Sequence, residues 1–276
     1  MKAGLMKYFV LLHLAGNLFI AGTAHSQDDS LFRFLKKTDY PISSFTVDNL
    51  GELYIINTDN QLKKYNERGD SVGVFNQVTK YGKLSYVEAQ NPWKAILFYQ
   101  DYLTIVLLDK YLNVLTNINL RNQNIFRVKA VTTSYDNNIW LFDEQDNKLK
   151  KIDNGGNNLF ESVDFRLLFD SVPTPQKIID YDGFVYLYDP EKGLYTFDYY
   201  GSFKNKLRFL HWTDIGIIDK QIYGFDNNHL YRYTPPFPDV KKYNLPPSLE
   251  NNNSIKVSNH RMYVLKNQQL EVYSIQ

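Results

Sequence analysis

The sequence predicts an all-β fold, a six-bladed β-propeller in which each blade is a four-stranded antiparallel sheet. Three observations support this prediction: an aromatic-rich composition, a short apolar segment that recurs six times, and a chain that ends before its sixth repeat is complete. Together they describe a ring of sheets that the N-terminal strand closes by completing the last blade.

The composition favours strands over helices. The 276 residues include 22 Tyr and 18 Phe, and 16% of all residues are aromatic. Aromatic side chains suit the pleated, half-buried surface of a β-sheet better than the interior of a helix. With 43% hydrophobic residues, the chain can bury the core of one large domain, which we place at residues 27–276.

A quartet of mostly apolar residues recurs six times, followed each time by a short polar turn and a second apolar pair. The second residues of the quartets are Tyr54, Thr104, Trp140, Tyr186, Tyr223 and Tyr263. The spacings between them are 50, 36, 46, 37 and 40 residues. Blades of four short strands occupy about 40 to 50 residues. We therefore predict that the six positions lie in the second strands of six blades.

Turn residues recur at fixed places in these units. An Asp or Asn ends the segment before most quartets, at Asp48, Asp136, Asp182, Asp219 and Asn259. Such side chains can close Asx-turns into the next strand, and a ring of carboxylates around one channel mouth is the alternative. Glycines recur in the following hairpin at Gly69, Gly156 and Gly201, where a positive φ is expected.

The sixth unit is too short for four strands, because the chain ends three residues after Tyr273. The segment Phe32-Arg33-Phe34 has the residues of a strand. We expect it to pair with the terminal strand from Leu270 to Ile275 and to close the ring. Closure would protect sheet edges that an open array leaves exposed.

The segment from Phe45 to Gly69 resembles an NHL-type propeller repeat. Its Val47-Asp48, Gly51 and Leu53-Tyr54 match the V-D-x-x-G-x-φ-Y strand pair of that family. The third and fourth units keep much of the pattern, and the others keep only its hydrophobic positions. The resemblance spans about residues 41–276, and its motifs are structural. The resemblance implies only the propeller fold and a general capacity to bind ligands or partners.

The N-terminus has the features of a secretory leader. Lys2 and Lys7 precede a mostly apolar stretch over 8–21, and small residues follow. We predict a signal peptide over 1–26 that is cut after Ser26, and hence a periplasmic or secreted protein. The stretch is shorter than the roughly 20 apolar residues that span a bilayer, so we expect no stable membrane insertion after cleavage.

Charge and motifs exclude several functions. The chain has 31 basic and 30 acidic residues, so nucleic acid is not a predicted partner. It has no Cys, and therefore no disulfide, thiolate nucleophile or thiolate zinc site. The nucleophile-elbow, dinucleotide, P-loop and metalloprotease motifs are missing from the sequence. We predict no catalytic residue, no cofactor and no metal.

Candidate partner-binding residues precede the predicted innermost strands. In a propeller these connections share one face around the central channel with the turns between second and third strands. The candidates are Trp93, Lys94, Arg127, Gln176, His211 and Trp212. Exposed Trp near Arg and amide groups suits a protein hot spot or stacking on sugar rings. The alternative is that Trp93 and Trp212 fill gaps between neighbouring blades.

These observations favour an exported, non-catalytic propeller that acts as a protein-binding or cell-envelope scaffold. Binding of a carbohydrate or other polymer is the second hypothesis, because of the two tryptophans and the many Tyr and Asn residues. A hydrolase or lactonase that uses a channel metal is the third. The acidic turn over 143–147 lacks the ligand spacing of an EF-hand loop.

Overall fold

The computed structural model describes residues 31–275 apart from 39, 227, 250, 251 and 253, and leaves out the side chain of 248. The predicted signal peptide over 1–26 and its cleavage site lie outside the described residues. Within the described part, 24 β-strands form six sheets of four strands each. Every sheet is antiparallel. In five sheets the strands pair in sequence order, and in the sixth the first strand of the chain pairs with the last.

The first half of the ring contains blades 1 to 3. Blade 1 contains β2 (Ile42–Val47), β3 (Leu53–Asn57), β4 (Leu62–Tyr65) and β5 (Ser71–Phe75). Blade 2 contains β6 (Tyr86–Glu88), β7 (Lys94–Tyr99), β8 (Thr104–Asp109) and β9 (Val114–Asn119). Blade 3 contains β10 (Val131–Thr133), β11 (Ile139–Asp143), β12 (Lys148–Ile152) and β13 (Asn158–Glu161).

The second half contains blades 4 to 6. Blade 4 contains β14 (Lys177–Tyr181), β15 (Phe184–Asp189), β16 (Gly193–Asp198) and β17 (Phe203–Leu207). Blade 5 contains β18 (Thr213–Ile218), β19 (Gln221–Asp226), β20 (His229–Tyr233) and β21 (Val240–Asn244). Blade 6 contains β22 (Ser254–Ser258), β23 (Arg261–Lys266), β24 (Gln269–Ile275) and β1 (Phe32–Lys37).

Helical structure in the described residues is limited to four single turns of 3₁₀ helix between strands. These turns are Val78–Tyr81, Leu120–Gln123, Phe165–Leu167 and Pro247–Leu249. No helix in the described part of the chain is long and apolar enough to cross a membrane.

The blades are held together by apolar clusters between neighbouring sheets. Each first strand contacts the first strand of the next blade, and β22 contacts β2, so the ring is closed. Six clusters of buried side chains lie at the six junctions between blades. The predicted six-bladed propeller is therefore confirmed, and its core is distributed around the ring.

The predicted closure by the N-terminal strand is also confirmed. Strand β1 pairs antiparallel with β24, with Phe32 opposite Ile275 and Phe34 opposite Tyr273. Beyond the strand, the backbone N–H of Thr38 donates to the carbonyl oxygen of Leu270 at 2.9 Å. Phe32 is buried in the cluster between blades 5 and 6.

One predicted strand position is wrong. Thr104 begins β8, which is the third strand of blade 2, whereas the second strand is β7. The reason is that Lys94–Tyr99 is itself a fully buried apolar run, so blade 2 carries two adjacent strands of similar pattern. The segment before β7 supplies the first strand of this blade, β6.

Candidate functional site

The strand order gives the ring two different faces. Connections between first and second strands, and between third and fourth strands, open onto one face, here named the lower face. The turns between second and third strands share the opposite, upper face with the connections that lead to the next blade. A cavity of about 630 Å³ runs through the centre and is lined by residues of all six first strands.

A cluster of three charged side chains from blades 4, 5 and 6 lines this channel. It consists of Lys177 on β14, Asp214 on β18 and Lys256 on β22. Lys256 Nζ lies 2.6 Å from Asp214 Oδ1. The other oxygen, Oδ2, accepts hydrogen bonds from Ile255 N at 2.9 Å and Ser254 Oγ at 3.0 Å. Asp214 therefore ties blade 5 to blade 6.

Backbone geometry turns Asp214 toward these partners. The residue has a φ of 49° and lies at a bulge in β18, between Thr213 and Gly216. Bulges re-aim side chains in this way. Although burial opposes it, the attraction of Lys256 holds the pKa of Asp214 below its ordinary value, so the carboxylate is charged at neutral pH.

Lys177 is the cation of the cluster that no carboxylate neutralises directly. Its Nζ donates to the carbonyl oxygen of Ile215, and no Asp or Glu among the described residues lies within ion-pair distance. Burial first, and repulsion from Lys256 second, lower the pKa of Lys177 to about 8. The channel wall therefore carries two ammonium groups and one carboxylate, and the carboxylate is paired with Lys256 alone.

Glu88 faces the channel from blade 2, three blades away from Asp214 in the ring. Its carboxylate accepts hydrogen bonds from Thr133 N at 3.2 Å, Thr133 Oγ1 at 3.0 Å and Gln90 N at 2.7 Å. Burial raises the pKa of Glu88 in spite of these bonds. The side chain joins blade 2 to blade 3 and places an acidic group across the channel.

The lower face carries large apolar side chains at exposed turn positions of blades 1 to 5. These side chains, here named the lower-face aromatic surface, are Leu50, Trp93, Tyr111, Tyr135, Tyr200 and Phe237. Trp93 is 66% exposed and Tyr200 is 86% exposed. Aromatic side chains at turns contribute little to folding when they remain in water, so this surface is a candidate contact site.

Part of this surface surrounds a small cavity of about 260 Å³ between blades 1 and 2. Trp93, Tyr111 and Leu50 form its walls. The ammonium of Lys110 lies 4.7 Å from the centre of the Trp93 ring and 4.9 Å from that of Tyr111. Cation–π contact on both rings holds the two aromatics in one arrangement.

The six predicted binding residues do not form one surface. Gln176, His211 and Trp212 line the upper part of the channel cavity, whereas Arg127 is exposed on the upper face outside it. Trp93 lies in the connection between β6 and β7, and therefore on the lower face. The placement differs from the expected one because β7 is the second strand of blade 2.

Lys94 and Trp212 are buried. Lys94 Nζ donates to the carbonyl oxygen of Asn137 and to Asn154 Oδ1, and burial lowers the pKa of Lys94 to about 8. Trp212 stacks on Phe209 with ring centres 4.1 Å apart, in the cluster between blades 4 and 5. Trp212 therefore fills a gap between blades, and whether any of the six residues binds a partner stays a prediction.

Sequence reasoning missed the charged cluster of the channel. A signal for Lys256 was present, because it stands between Ile255 and Val257 inside an apolar strand. Lys177 follows Gln176 and Asp214 follows Thr213, each near the start of a strand. Charged residues are common at such positions, so neither one attracts notice in the sequence. Only the ring brings these positions together. Among the described residues, no group of three or more His, Asp or Glu side chains is placed to hold a metal ion.

Comparisons with known proteins agree on the class of fold, a β-propeller, and give no family. No protein-family model matches the chain, and no curated protein matches its sequence. The NHL-type resemblance therefore stays a prediction. Many solved structures share the fold, and the three described next are 14% identical or less. Such likeness shows the fold alone.

A streptogramin B lyase is 14% identical with a TM-score of 0.59, covering 89% of this chain and 88% of that chain. The β-propeller domain of Cps50 (Swd1) from Myceliophteria thermophila is 7% identical with a TM-score of 0.61, covering 89% and 100%. PorZ, a surface component of the type-IX secretion system of Porphyromonas gingivalis, is 9% identical with a TM-score of 0.55, covering 85% and 31%.

Proposed function

We propose that the protein is an exported, non-catalytic propeller that binds a protein partner through its lower face and serves as a cell-envelope scaffold. The observation that supports this function is the lower-face aromatic surface, which has exposed members on five consecutive blades. Solved structures of this fold include a lyase and a secretion-system component, so the fold leaves the function open.

Tyr111 and Tyr135 are supported by contacts within the chain before any partner binds. Asp109 Oδ1 accepts hydrogen bonds from Tyr111 N and Asn113 N, both at 2.8 Å, which fixes the turn that carries Tyr111. Tyr135 is stacked on Tyr199 at 4.3 Å between ring centres. Rigid aromatic side chains lose little entropy on binding, and Trp and Tyr are the residue types most enriched in protein hot spots.

Export is the second part of the proposal, and its support is the leader pattern at the N-terminus. Fusion of residues 1–30 to a reporter that is active only outside the cytoplasm tests it directly. We expect activity that is lost when Leu11 and Leu12 are both replaced by Arg. A reporter that stays inactive with the intact leader would refute export.

The binding function is tested by affinity capture from envelope extract with three variants of the chain that starts at residue 27. Trp93→Ala and Tyr111→Ala should each weaken capture of one specific protein about tenfold or more, as loss of a hot-spot residue does. Tyr102→Ala is the matched control, because Tyr102 is on blade 2, is 57% exposed against 54% for Tyr111, and lies on the upper face.

Each outcome of this experiment decides between hypotheses. Equal capture by all variants, or a loss that Tyr102→Ala shares, would remove the lower-face surface from the proposal. Retention of a polysaccharide and of no protein, with the same dependence on Trp93, would support the carbohydrate hypothesis instead. Melting temperatures of the variants show whether a loss of capture reflects binding or folding.

A further inference from the structure

We propose that the central channel binds a small carboxylate ligand with an apolar body, and that Lys177 and Lys256 receive its carboxylate group. This site is separate from the lower-face surface, because it lies inside the ring on residues of the first strands. Its volume of about 630 Å³ is within the range of small-molecule pockets, which is about 300 to 1,000 Å³.

The charges of the cluster favour an anion. Asp214 already receives hydrogen bonds from Lys256, Ile255 N and Ser254 Oγ, so both of its oxygens have donors within the protein. Lys177 uses one of its three donors on the carbonyl oxygen of Ile215. A partly buried ammonium without a counter-ion is costly, and a second ammonium nearby increases that cost. A carboxylate placed beside Lys177 would offset both penalties.

The remaining walls limit the ligand further. Apolar side chains from four first strands line the cavity, namely Phe45, Val87, Ile179 and Ile217. An apolar group on the ligand would displace water from these side chains. Asp48, Glu88 and Asp214 also line the cavity, so a dianion such as a phosphate monoester meets three carboxyl groups there. The cavity is therefore suited to an amphipathic molecule that carries a single negative charge.

The ligand chemistry has two natural sources, a free aliphatic acid or the C-terminal carboxylate of an apolar peptide. Octanoate and a tripeptide that ends in leucine represent them, and octanol is the uncharged control. We expect at least one of the two acids to raise the melting temperature of the chain that starts at residue 27, since a ligand bound only to the native state stabilises it. Octanol should have a clearly smaller effect.

Lys177→Met tests the site itself, because it removes the charge and keeps a long side chain. Loss of a charge-assisted hydrogen bond should weaken the affinity for the bound acid about tenfold, measured by calorimetry. Lys206→Met is the control, since Lys206 is exposed on β17, the outermost strand of the same blade, and does not line the channel. Its affinity should equal that of the unchanged chain.

A pH series gives a readout that a structural role of Lys177 would not produce. The channel groups that act on Lys177 are Lys256, Asp214 and Glu88, and its pKa is about 8. The affinity should therefore fall as the pH rises above 8 in the unchanged chain and stay flat in Lys177→Met. The proposal is overturned if octanol binds as well as octanoate, if neither acid binds at millimolar concentration, or if Lys177→Met binds normally.

Discussion

The Asp and Asn residues predicted to form turns after the first strands do so in two different ways. Asp48 closes an Asx-turn as expected, because its Oδ1 accepts from Leu50 N at 3.0 Å and Glu52 N at 2.9 Å. The φ angles of Asp182, Asp219 and Asn259 are instead 49°, 48° and 48°. These three begin two-residue hairpin loops, whereas Asp48 begins a five-residue loop. Positive φ is what two-residue hairpins require.

Asp48→Asn should change how stability depends on pH. Burial raises the pKa of Asp48 from 3.8 to about 6. Between these pH values the folded chain holds a proton that the unfolded chain has lost, so this residue makes the free energy of unfolding fall as the pH rises. Asn keeps the oxygen that closes the turn and lacks the titration. From pH 4 to pH 7, urea unfolding should show that the free energy of unfolding rises more, or falls less, for Asp48→Asn than for the unchanged chain.

The matched variant Asp48→Ala separates charge from hydrogen bonding. It loses the acceptor for Leu50 N and Glu52 N and should be destabilised by about 1 kcal/mol or more at both pH values. Asp48→Asn should be at least as stable as the unchanged chain at pH 7. The same pH dependence in all three chains would show that Asp48 does not titrate in this range.

Among the strands, prediction succeeded where one apolar run stands alone between polar turns. Tyr54, Trp140, Tyr186, Tyr223 and Tyr263 all lie in second strands, as expected. Blade 2 failed because β7 and β8 are both apolar and nearly fully buried, and periodicity does not distinguish two such neighbours. The error moved Trp93 to the wrong face, so one misassigned strand altered the predicted site.

Packing between blades 4 and 5 depends on a close approach of β19 to Trp212. A Cβ atom added at Gly224 would lie 2.3 Å from Trp212 Cε3, so the ring would have to move. Gly224→Ala should therefore destabilise the protein by about 2 kcal/mol, as overpacking of a core does. Chemical unfolding followed by Trp fluorescence measures this change.

Gly216→Ala is the control in the same blade, since nothing lies within 4 Å of its Cβ position. It should be neutral or slightly stabilising, because alanine restricts the unfolded chain more than glycine does. Equal stability of the Gly216→Ala and Gly224→Ala variants would mean that Trp212 is not wedged against β19.

For the molecule as a whole, the sequence predicts the fold but not the charged cluster of the channel. The blade repeat and the truncated sixth unit are local patterns, and they were sufficient to predict six blades and their closure. The channel cluster joins Lys177, Asp214 and Lys256, which are 37 and 42 residues apart in sequence. No local pattern relates them, because only the closed ring places their first strands around one cavity.

Because β1 closes the ring, removal of this strand should lower the stability of the protein. A chain that starts at residue 38 lacks the strand that pairs with β24 and exposes the edge of blade 6. It also loses the buried Phe32 side chain, which contributes about 2 kcal/mol or more. Calorimetry should show a melting temperature roughly 5–10 °C below that of a chain that starts at residue 31, which retains β1. Equal melting temperatures would show that the ring stays closed without this strand, and that the apolar cluster between blades 5 and 6 suffices.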